Sequence, residues 1–94
     1  KLFVVSIIFD MNDDRKDSII KLFESLEDAV AYINNKTYEF AQEYGISTIC
    51  HEYGDNGQES VFRLFTIIDC KLDYDYVVAE DDYTNRMFAK VTIF

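Results

Sequence analysis

A catalytic site needs a nucleophile or a metal with a base beside it, and the first place to look is Cys50-His51-Glu52, where the single histidine of the chain sits between a thiol and a carboxylate. ISTICHEY, residues 46–53, reads as a strand, however, and strand neighbours point to opposite faces. Cys50 and His51 therefore do not form a nucleophile–base pair on one face. Structural zinc takes four Cys or His ligands in closely spaced pairs, whereas Cys50, His51 and Cys70 are three and show neither C-x-x-C nor H-x-x-x-H spacing. Asp10, Asn12 and Asp14 have the alternating oxygen ligands that open a calcium loop, but Arg15 stands where that loop needs Gly and Lys21 where it needs Glu. Ordinary turn chemistry explains the run, because Asp and Asn bond their own backbone. Gly45, Gly54 and Gly57 each have a turn or cap explanation, which leaves no phosphate-binding loop. The expectation is a protein with no metal, no cofactor and no catalytic group, and not an enzyme.

What remains is charge. DCKLDYDYVVAEDD, residues 69–82, carries six acids and one lysine in a chain of net charge −9. Read as a strand followed by a turn, it projects Asp73 and Asp75 from one face, with Glu80, Asp81 and Asp82 in the turn and Tyr83 beside them. Such an array could imitate nucleic-acid phosphates and occupy an Arg- and Lys-lined groove. These six residues are the candidate partner-binding site. The competing reading is that acids on an exposed strand prevent edge-to-edge aggregation and keep the protein soluble. Tyr74 and Tyr76 share the inward side of that strand and read as core. The net charge disfavours direct binding to nucleic acid or an anionic membrane, so the expected partner is basic or neutral.

The elements that would position these residues follow from periodicity. LFVVSIIF, residues 2–9, is apolar on both faces and reads as a central strand; it has strand length, well short of a membrane span, and lacks the flanks of a signal peptide. DMNDDRKD, residues 10–17, is a polar turn leading into a second strand, SIIKLF, residues 18–23. Leu26, Ala29, Val30, Ile33, Phe40, Ala41 and Tyr44 fall at helical spacing, with Thr37 filling the remaining position. Ser25 as N-cap, Glu27 and Asp28 in the first turn, and Gly45 after Tyr44 bound a helix over about 26–44. Its solvent side, with Glu27, Asp28, Tyr32, Asn35, Glu39, Gln42 and Glu43, is a second acidic surface. Strands then follow at 46–53 and 59–68, joined as a hairpin by GDNG at 54–57, and again at 70–78 and 87–94. The chain reads as one α+β domain of order β-β-α-β-β-β-β, a predominantly antiparallel sheet of five or six strands with one amphipathic helix on one face. At 49% hydrophobic and 16% aromatic, 94 residues can bury one core. Cys50 and Cys70 lie inside expected strands and read as free buried thiols of a reducing cytoplasm, with a cross-strand disulfide still open.

The run from Val4 to Ile33, a strand, a polar turn, a second strand and then F-x-S-x-E-x-A at Phe23, Ser25, Glu27 and Ala29, resembles an arrangement found in small bacteriophage and other viral proteins of unassigned function. It covers about a third of the chain. The resemblance implies the anti-defence or host-takeover class, whose members, DNA mimics among them, act by binding and blocking. It transfers no site residue. Two functions follow as expectations. One is an acidic inhibitor that blocks a nucleic-acid-binding host protein in the host cytoplasm. The other is an assembly module that self-associates, as a homodimer for instance, or docks by a sheet edge, suggested by the strongly apolar last strand.

Overall fold

A strand with apolar residues on both sides must sit inside a sheet, and the fold is organised around two of them. In the computed structural model, which describes residues 1–50 and 60–94, β1 (Phe3–Asp10) is paired on one side with β2 (Lys16–Phe23) and on the other with β6 (Arg86–Ile93), both antiparallel. The sheet continues through β5 (Tyr76–Glu80) and β4 (Val61–Arg63) to β3 (Thr48–Cys50), in the order β2-β1-β6-β5-β4-β3. The architecture is α+β, with one helix packed on a six-stranded, mostly antiparallel sheet. The apolar last strand lies in the middle of the sheet, and that position explains its composition. Among the described residues the sheet edges are β2 and β3.

Helix α1 (Leu26–Glu43) begins and ends where its signals stand. The Ser25 hydroxyl accepts the Asp28 N–H at 3.1 Å, and Gly45 follows the last turn at φ 68°, a left-handed conformation that glycine adopts without a Cβ penalty. Ala29, Ile33, Thr37, Phe40 and Ala41 form its buried stripe. Thr37 belongs there because its hydroxyl donates back to the Ile33 carbonyl at 2.8 Å, which satisfies the polar atom inside the core. The stripe meets the inner face of the sheet: Val5 and Ile7 of β1, Met87, Ala89 and Val91 of β6, and Tyr76 and Ala79 of β5.

Three expectations change. The strand expected over 59–68 ends at Arg63, because Asn34 of α1 captures both backbone groups of Phe65: the Phe65 N–H donates to its Oδ1 at 2.8 Å and its Nδ2 donates to the Phe65 carbonyl at 3.0 Å. Those groups are then lost to a β-ladder. The strand expected over 70–78 begins only at Tyr76, since Asp69 accepts the Thr66 N–H and hydroxyl and starts a 3₁₀ turn over Asp69–Lys71 that drops Cys70 into the core. Third, β3 and β4 are parallel, with Ile49 beside Phe62 toward the helix, where an antiparallel hairpin was expected. The turn at 54–57 and His51 lie outside the described residues. Cys50 and Cys70 are buried and are not joined in a disulfide.

Ser25→Ala removes the partner of one first-turn N–H and should lower stability by about 1 kcal/mol. Urea unfolding followed by circular dichroism should show a lower midpoint at an unchanged slope.

Candidate interaction surfaces

Residues 69–82 do not assemble into one acidic array. Asp81 is 6% exposed and turned inward: its Oδ1 accepts the Tyr83 and Asn85 N–H groups, both at 2.9 Å, and its Oδ2 accepts Asn85 Nδ2 at 2.8 Å. This carboxylate builds the β5–β6 turn, an Asx-type use of aspartate, and is not displayed to a partner. Asp69 likewise serves the 3₁₀ turn. Asp73 lies 3.8 Å from Lys90 Nζ, and Glu80 lies 3.6 Å from Arg86 Nε. Asp75 and Asp82 are exposed and form no ion pair among the described residues. They stand at opposite ends of the five-residue β5, whose length is roughly 13 Å at 3.3 Å per step. Of the tyrosines, Tyr76 is buried, Tyr74 is 46% exposed against the expectation of core, and Tyr83 is 71% exposed in the turn.

The helix side is predominantly acidic. Glu24, Glu27, Asp28, Glu39 and Glu43 are exposed there, and Lys36, 3.1 Å from Glu39, is the cation of the helix. At the end of the helix a cleft of about 530 Å³ opens toward the β1–β2 turn, floored by Phe9, Phe40 and Tyr44. Arg15 and Lys36 stand against Asp17, Glu39 and Glu43 at its mouth, with the first residue of β2, Lys16, on its border, and no nucleophile and base are brought together. Among the described residues no group of His, Cys, Asp and Glu side chains is arranged to hold a metal ion, and no helix is long and apolar enough to cross a membrane.

Periodicity alone left the opposite side of the sheet unnoticed. Strand pairing aligns its outward residues in rows across β2, β1, β6 and β5. One row is Ser18, Ile8, Phe88 and Val77, and others bring Leu22 beside Val4 and Ile20 beside Ser6. Ile20 is 69% and Leu22 60% exposed, while Val4, Ile8, Val77 and Phe88 are half-buried. The row at the end of the strands is Lys16, Asp10, Arg86 and Glu80, four charges of alternating sign. Arg86 Nε is buried there and makes no hydrogen bond among the described residues. A signal for this face was present in β2, where Ile20 and Leu22 alternate with Ile19 and Phe23 and make both sides apolar. Lys21, on the helix side of the same strand, lies 4.6 Å from the centre of the Tyr32 ring.

No protein-family model, curated protein or solved structure matches the chain significantly.

Asp81→Ala should cost about 2–3 kcal/mol, since it leaves three donors of the turn without their acceptor, whereas Asp82→Ala should stay within about 0.5 kcal/mol. Chemical denaturation of the two variants side by side makes the comparison. Cys70 and Tyr76 supply a pH dependence: burial pushes both acids up, and the Asp69 carboxylate adds to each. The folded state keeps its protons where the unfolded chain releases them, so stability is full below the ordinary thiol range, about 8.5, and falls as pH rises above it. Cys70→Ala should flatten the first part of that fall in unfolding curves measured from neutral to alkaline pH.

Proposed function

We propose that this chain is a non-enzymatic protein-docking module that works through the open face of its sheet. One observation carries the reading: α1 and the core cover one side of the sheet, while on the other Ile20 and Leu22 stand exposed beside the half-buried Val4, Ile8, Val77 and Phe88. Contiguous apolar surface of this kind costs solubility and is retained where something covers it. The cytoplasm fits the reading, since two buried thiols stay reduced there.

A second reading, the acidic inhibitor of a basic nucleic-acid-binding protein, is favoured by the exposed carboxylates of the helix side and by Asp75, Asp82 and Tyr83. It uses fewer residues of 69–82 than the composition suggests, because Asp81 is consumed by the turn and Asp73 and Glu80 have cationic neighbours.

A photo-crosslinking amino acid at position 20, compared with one at position 42 on the helix, separates the two in the cells that express the protein. Protein adducts at 20 that are absent at 42 are the expected result. Adducts confined to 42, abolished by moderate salt, would overturn the sheet-face reading and favour the acidic one.

A further inference from the structure

We propose that the occupant of the open face is the same face of a second copy, the two sheets packing as a sandwich about a two-fold axis that runs along the strands between β1 and β6. The inference rests on the docking reading and names its partner. Its strongest support is the charged row. A two-fold axis along the strands keeps each row at its own height and reverses the strand order, so Lys16-Asp10-Arg86-Glu80 meets itself backwards. Lys16 then faces Glu80 of the second copy and Asp10 faces its Arg86, and the axis repeats both pairs. Every charge meets its opposite. A row of two cations followed by two acids would also self-complement this way, but it would lack the neighbour pairing that keeps this one neutral within a single chain.

The next row supports the same placement. Ile8 comes to face Phe88 of the second copy, twice, at the centre of the four strands, while the charges lie at the strand ends. An apolar centre with a polar rim is the anatomy of a stable interface. Lys90, which projects into the area from β6, already has Asp73 at 3.8 Å as its counter-ion.

Net charge points the same way. Two chains of −9 repel, and contact through the helix side would set carboxylates against carboxylates. On the four strands of the open face Lys16, Arg86 and Lys90 stand against Asp10 and Glu80, so this surface can approach its own copy without that penalty. Its size is adequate. Three strands of eight residues and one of five, spaced about 4.8 Å, span on the order of 450 Å² in flat projection, and protruding side chains raise the accessible area toward the roughly 600–1,000 Å² per partner of a specific interface. Sheets packed in this way stay within about 30° of alignment, which long Lys, Arg and Glu side chains can bridge.

Sedimentation equilibrium of the purified chain across a concentration series should show a species of twice the 11.0 kDa monomer. Ile20→Glu combined with Leu22→Glu, both at exposed positions, should weaken self-association about tenfold or more, while Gln42→Lys on the helix should leave it unchanged. Zero-length carbodiimide coupling of mixed isotope-labelled and unlabelled chains should give a Lys16–Glu80 link between copies. A dimer that survives the double substitution, or that yields no such link, overturns the sheet-face geometry. A monomer at every concentration overturns the second copy as occupant, and the docking reading is then decided separately by adducts at position 20.

Discussion

One helix cannot cover six strands twice. The sheet is roughly 29 Å wide at 4.8 Å per strand, and a helix with its side chains is about 10 Å across. Over β2, β1, β6 and β5, α1, with the segment carrying Phe65 and Cys70, closes a single face, and the apolar stripe of the helix is spent on it, whereas on β4 the outward Val61, opposite Glu80, is buried as well. Everything distinctive about the molecule follows from what that leaves. The inner face holds Val5, Ile7, Met87 and Ala89 fully buried, whereas the outer sides of the same strands hold residues that are apolar and only half withdrawn from water.

The acids divide by task. A carboxylate accepts several hydrogen bonds at once, which makes aspartate a builder of turns, and Asp13, Asp69 and Asp81 are used in that way on Arg15, on Thr66, and on Tyr83 and Asn85. Of these, Asp81 contributes to net charge without being displayed. Glu24, Glu27, Asp28, Glu39 and Glu43 are displayed on the helix side, while the surface across the sheet is mixed and nearly neutral.

The helix was legible in the sequence because three independent signals, cap, stripe and stop, agree within one residue at each end. The hairpin of β1 and β2 and the last strand were legible from their apolar runs and from the polar turn at 10–17. Residues 64–75 were not, because their conformation is dictated by Asn34, a polar helix residue that satisfies the backbone of Phe65 thirty-one positions away. Alternation of Leu72, Tyr74 and Tyr76 imitates a strand without the pairing that makes one. The acidic site failed similarly: composition reports how many carboxylates a stretch has, and the direction of Asp81 is set by a turn that composition does not describe. The strand-to-capped-helix junction read within residues 4–33 is present, from Phe23 through the Ser25 cap.

The sheet face depends in turn on a local irregularity. Between Val77, opposite Phe88, and Ala79, opposite Met87, β5 carries one extra residue, Val78, and both Val78 and Ala79 are buried. A regular strand would place Ala79 opposite Arg86 and send Glu80 past the end of the ladder to the helix side. The bulge shifts the register by one residue, and a one-residue shift reverses the face to which every later side chain points. Glu80 therefore projects outward opposite Arg86 and becomes the fourth charge of the row that begins at Lys16. The same two buried residues that look like a lapse in alternation are what give the open face its alternating charge.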